Sequence, residues 1–135
     1  MNEEDSAALD GASNYFAGGP RKEDSTATQT ILITDAATID LIDSSLVAAE
    51  LSGFFGGWES KEDNMTMTAI FYDGDGNRIV TNSPFVIGGV TPDERGDDTQ
   101  LLQRQGSAFV PMGTRRVDIV LTATIEGGSY NDGMA

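Results

Sequence analysis

The stretch TRRVDIVLTATIEG (residues 114–127) decides how this chain reads. Val117, Ile119, Leu121, Ala123 and Ile125 recur at every second position, so an extended backbone carries all five on one face. A helix would scatter them around its circumference. A second stretch, MTMTAIFYD (65–73), alternates in the same way, with Met65, Met67, Ala69 and Phe71 on one side and Thr66, Thr68, Ile70 and Tyr72 on the other. Two half-buried strands of this kind need an opposing layer to cover their apolar faces.

Working outward, ATQTILIT (27–34) is β-branched and reads as a strand. In AATIDLIDSSLVAAE (36–50), Ile39, Ile42 and Leu46 show helix-like spacing, and Asp35 is placed to cap one or two turns. Residues 47–55 read as strand again, with Gly56-Gly57 expected to break it and residues 58–64 to form a charged loop. DGDGN (73–77) is turn chemistry, which predicts that residues 78–82 return as the hairpin partner of 65–73. A short strand over 84–90, an acidic loop TPDERGDD (91–98), one or two strands over 99–110, a turn at 111–113 and a loop over 127–133 complete the chain. Seven or eight short strands at turn spacing with one short helix predict an all-β fold, an antiparallel β-sandwich. The expected division is a polar N-terminal arm and loop over 1–25, anchored by Tyr15-Phe16, and a sandwich domain over 26–135.

Composition narrows the chemistry. At 135 residues the chain makes one domain with room for a core. With no Cys and no His, it lacks thiolates and disulfides, the commonest general base and the commonest transition-metal ligand. Neither a nucleophile elbow nor a P-loop is present, so the expectation is a protein that is not an enzyme. Twenty-two acids against eight bases give a net charge of −14, which repels nucleic acid and anionic membranes. No apolar run is long enough for a membrane span. The excess of acid, with only Lys22 and Lys61 as lysines, reads either as a salt-adapted exterior or as a preference for cations, Ca²⁺ above all.

Individual motifs carry two readings each. Asp73, Asp75 and Asn77 have the spacing that opens a calcium loop, but Arg78 and Pro84 stand where an EF-hand needs Gly and Glu, leaving an acidic hairpin turn as the other reading. Asp93, Glu94, Asp97 and Asp98 surround Arg95-Gly96 as a solvated loop or a cation site. Asn64-Met65-Thr66 is a glycosylation sequon at a strand start. Trp58, beside two glycines and a charged loop, either stacks on a sugar face or caps the core.

GASNYFAGGP (11–20), STATQT (25–30), LSGFFGGW (51–58), DNMTMTAIFYDGDGN (63–77), RG (95–96), PMGTRRVDIVLTAT (111–124) and GGSYNDGMA (127–135) together resemble the jelly-roll, galactose-binding-like modules of large bacterial secreted and cell-surface proteins, adhesins among them. The resemblance implies an extracellular or cell-surface binding module for carbohydrate or another surface ligand. It places ligand contacts at Trp58, Arg95, Tyr130, Asn131 and Asp132, and structural calcium at Asp63, Asn64 and Asp132. Such modules carry a further strand before the SNYFAGGP-like piece and a final strand after YNDG, so the chain is expected to lack its first and last family strands. That departure supports a second expectation, a spacer, filament or coat domain completed by strand addition from a neighbour through open sheet edges.

Overall fold

The computed structural model describes residues 15–20 and 24–135. The expected arm over residues 1–25 therefore falls largely outside the described residues. Eight strands form two four-stranded antiparallel sheets. They are β1 (Ala17–Gly19), β2 (Ser25–Leu32), β3 (Ala48–Gly57), β4 (Asn64–Tyr72), β5 (Phe85–Gly88), β6 (Gln100–Phe109), β7 (Arg116–Thr124) and β8 (Asn131–Met134). One sheet runs β1-β8-β3-β6 and the other β2-β7-β4-β5. The pairs are nested: first with eighth, second with seventh, third with sixth, fourth with fifth. A long ribbon folded over itself in this way is a jelly-roll-like sandwich.

The alternation of 65–71 and 117–123 does what it predicts. Met65, Ala69, Phe71 and Ala123 are buried between the sheets with Leu51, Phe55, Phe85, Ile87, Val90 and Val110. Met67, Val117, Ile119 and Leu121 pack against that cluster part-buried. The helix also forms, as α1 (Ala36–Asp43), and Asp35 caps it by accepting from the Thr38 N–H at 2.9 Å. Ile42 is the helix residue that enters the core.

Four expectations need correction. The strand β3 runs through Gly56-Gly57 rather than breaking there, because a Cβ at Gly56 would sit 1.9 Å from the Gln100 carbonyl oxygen. Glycine here permits close packing of two strands, not a turn. Residues 78–82 do not form the return strand: the hairpin closes with Asp73 N–H donating to Asn77 O and Ile79 N–H to Phe71 O, then leaves the sheet. The run Val80-Thr81-Asn82-Ser83 has no alternating apolar face to hold it, and pairing with β4 resumes at Phe85, opposite Ala69. The acidic loop 91–98 contains a second helical turn, α2 (Pro92–Arg95). Finally, NDGM is a strand, with the turn supplied upstream by Gly127 and Gly128 at positive φ.

Among the described residues, β3 has no partner along most of one side. Val47 O accepts from Val110 N–H, so alternation aims residues 49, 51, 53 and 55 at β6. The N–H and C=O groups of Ala48, Glu50, Ser52 and Phe54 then face the other way. β8 meets that edge at Gly56, opposite Met134, and among the described residues no strand pairs with it over residues 48–55. No helix of the described residues is long and apolar enough to cross a membrane.

Candidate functional site

The end of the sandwich where β3 leaves for the 58–63 loop and β8 enters is organised by buried polar groups. Arg95 is the largest fully buried side chain, 1% exposed. Its two terminal nitrogens donate to four backbone carbonyls: Gly57 (3.0 Å), Glu59 (2.6 Å) and Asp98 (2.8 Å) from Nη1, and Lys61 (2.9 Å) from Nη2. Burial pushes the guanidinium below its ordinary value, opposed by the charges of Asp97 and Glu62. The aim of the side chain is set locally. Thr91 and Glu94 form a reciprocal capping box on α2, and Gly96 ends the turn in the left-handed region at φ 64°. Arg95 thus pins the loop that carries Trp58, and the structure places it as an internal clamp rather than on a ligand-facing surface.

Asn131 is likewise fully buried. Its amide donates to Ala123 O at 2.9 Å and accepts from Gly133 N–H at 3.2 Å. A Cβ on Gly18 would lie 2.2 Å from the Asn131 Cγ, so this glycine of the opening motif makes room for the asparagine of the closing one. Asp63, also buried, spends both carboxylate oxygens on backbone amides, Glu126 N–H at 2.6 Å and Asp132 N–H at 2.9 Å. Asn64 opens β4, part-buried and opposite Thr124. Asp132 is the least committed of this group. Burial raises its carboxyl above the usual range, the neighbouring Asp63 charge adds to that, and Lys61 opposes it.

Above this frame lie the exposed aromatics. Tyr15, Trp58 and Tyr130 are 42%, 45% and 49% exposed and line one groove of about 230 Å³, together with Ala17, Asn131, Asp132 and Met134. A wider cleft of about 500 Å³ adjoins it through Tyr130 and Asp132, and its wall includes Lys61, Glu62, Asp63 and Glu126. The structure therefore brings together Trp58, Tyr130, Asp132 and the buried Asn131 from the expected set in one groove wall, and sets Arg95 beneath them as a support. The sequence reading missed the groove-lining place of Tyr15, which it took as an anchor. The aromatic inside the SNYFAGGP piece was the available signal.

The expected calcium ligands do not form a ready cage. Asp63's oxygens are occupied by amides, and among the described residues no three acidic side chains converge closely enough to hold a cation. The DGDGN turn is also accounted for internally. Asp73 Oδ1 accepts from Asp75 N–H and Asn77 N–H, and Oδ2 from the Asn77 amide.

Fold and site together define a jelly-roll-like β-sandwich with an aromatic-lined groove at one end. No family model matches the chain, and no curated protein matches it. Among solved structures, the enzymatically active domain of tailspike protein 4 from bacteriophage CBA120 superposes on 91% of this chain with a TM-score of 0.54 and 15% identity. The chain spans 14% of that tailspike chain's length. At this identity the likeness is one of fold.

Proposed function

We propose that the chain is a non-catalytic binding module for carbohydrate or another cell-surface ligand, acting outside the cell. The observation that carries this reading is the convergence of Tyr15, Trp58 and Tyr130 on one groove with the Asp132 carboxylate at its edge. Rings held at half exposure offer flat apolar faces for the C–H side of a pyranose, while Asp132 and the tyrosine hydroxyls can meet its hydroxyls. The groove is smaller than the roughly 300–1,000 Å³ of drug-sized pockets, which suits a single sugar unit. The resemblance to secreted galactose-binding-like modules supports the same reading. A glycan array followed by calorimetry on the hits is the test. Binding that Trp58→Ala abolishes is the expected result, and an array without hits would remove the reading.

Calcium is a separable part of it. Ligation at Asp63, Asn64 and Asp132 would have to draw the Asp63 carboxylate away from two amides that now hold the 126–132 turn. A melting temperature unchanged by chelator would exclude structural calcium.

The open edge of β3 favours a second reading, an assembly domain that takes a strand from a neighbour. Alternating backbone groups at Ala48, Glu50, Ser52 and Phe54 offer a template for such a strand. Val117, Ile119 and Leu121, only part-buried on the inner face of central strand β7, offer apolar surface for it to cover. Sedimentation decides: a monomer at high concentration argues against association between copies.

A further inference from the structure

The groove shares two components with a cation site the protein already uses elsewhere. At Tyr72 the Arg116 guanidinium lies 3.8 Å from the ring centroid, and its Nε is 3.5 Å from the Asp118 carboxylate. That arrangement is a ring, a cation and a carboxylate held together within the protein. Tyr15, Trp58 and Tyr130 supply rings at the groove and Asp132 supplies the carboxylate, and among the described residues none that lines the groove is basic. Three of the four Tyr and Trp side chains in the sequence gather here, and the fourth is the one covered by Arg116.

Rings attract a cation through their quadrupole, and the attraction grows as water is excluded. A carboxylate beside them adds direct charge pairing, strengthened by its part-buried setting. The adjoining cleft adds Glu62, Asp63 and Glu126 to the negative field, against Lys61 in its wall and the buried Arg95 guanidinium behind the 57–61 loop. An anionic ligand such as a uronic or sialic acid would meet four carboxylates there. A neutral sugar would use the rings and leave the charge unspent.

We propose that the groove selects a ligand bearing an organic ammonium group: an amino sugar with a free amine, or a small quaternary amine. The inference rests on the groove being the binding site proposed above and names the chemistry it prefers. The ammonium sits against the aromatic faces with Asp132 as its counter-ion, and the rest of the ligand extends into the wider cleft.

Trp58 is the sole tryptophan, so intrinsic fluorescence reports directly on the groove. The full chain would be titrated with glucosamine, glucose, glucuronate and tetramethylammonium, with calorimetry in parallel. Glucosamine is expected to bind at least about tenfold more tightly than glucose, and glucuronate more weakly than either. A response to tetramethylammonium as well would assign the recognition to the ammonium group alone, and a response confined to glucosamine would assign it to the amino sugar. Equal affinity for glucose and glucosamine would overturn this inference while leaving the carbohydrate reading standing. No response to any of the four would overturn this inference, and the glycan array would then judge the wider reading independently. Asp132→Asn keeps the backbone amide that binds Asp63 and should bring glucosamine affinity down to that of glucose. A preference that survives Asp132→Asn, with Tyr130→Leu also without effect, would overturn the assignment.

Discussion

Arg95 shows how one side chain can organise a site it does not touch. Its guanidinium draws together carbonyls from Gly57, Glu59 and Lys61, and so fixes the loop in which Trp58 stands. Arg95→Gln removes most of those donors and leaves buried carbonyls without partners, at a cost of roughly 2–5 kcal/mol. Chemical denaturation followed by Trp58 emission should show both the loss of stability and a red-shifted native spectrum. A variant as stable as the parent would show that the clamp carries nothing. Asn131→Ala is the matching test at the other motif. It removes the side-chain bonds to Ala123 O and Gly133 N–H from the interior and should cost roughly 1–3 kcal/mol. Both residues were singled out in the sequence as ligand contacts, on the strength of the resemblance. Sequence alone does not distinguish a polar residue that faces a ligand from one that replaces backbone partners inside the fold. That difference lies in burial, and burial depends on Gly18, Gly56 and Gly133 allowing the strands to approach closely.

Among the elements, the longest alternating segments were the most legible, because period-two patterning over eight or nine residues leaves one backbone state. β4 and β7 follow it, and their nine-residue ladder from Asn64↔Thr124 to Tyr72↔Arg116 is the register that pattern demands. β8 could not be read, since NDGM carries turn residues and becomes a strand only by pairing with β1 and meeting β3 at Gly56. The stretch of β3 left unpaired among the described residues was not legible in the sequence, because it depends on how far β8 extends along its neighbour. It has a direct test. Ser52 directs its N–H away from β6, so Ser52→Pro removes one donor from the open edge and none from the β3–β6 ladder. Thermal stability should stay near the parent value while any concentration-dependent association seen by sedimentation is lost. Association that persists in Ser52→Pro would place the contact elsewhere on the molecule.

For the whole molecule, the net charge of −14 sets two opposing dependences. Mutual repulsion strains the compact state at neutral pH and is screened as the Debye length falls from roughly 30 Å at 0.01 M salt to roughly 3 Å at 1 M. The melting temperature should therefore climb with sodium chloride over that range; a flat or falling curve would mean that the acids are already balanced locally. Against the repulsion stand carboxylates that the fold stabilises in their charged form. Asp43 is held below the usual range by its paired hydrogen bonds with Arg115, and Asp73 by the Asn77 and Asp75 amides. Asp35 and Glu94 are lowered by the Thr38 and Thr91 N–H groups they accept from. A group depressed in the folded state contributes stability above its unfolded value, near 4 for a carboxylate, and loses it as pH falls through the folded value. Asp132, raised by burial, works the other way: its ionisation costs stability as pH rises from the unfolded value. At low salt, acidification also relieves repulsion, so the two effects mask each other. At 1 M salt the repulsion is screened and the hydrogen-bonded carboxylates should dominate, giving a melting temperature that drops between about pH 4 and pH 2. Asp43→Asn should flatten part of that drop, because it removes one carboxylate whose charged form the fold favours. A melting temperature that rises on acidification at 1 M salt would show instead that repulsion, not the Arg115 and turn hydrogen bonds, governs the acid limb.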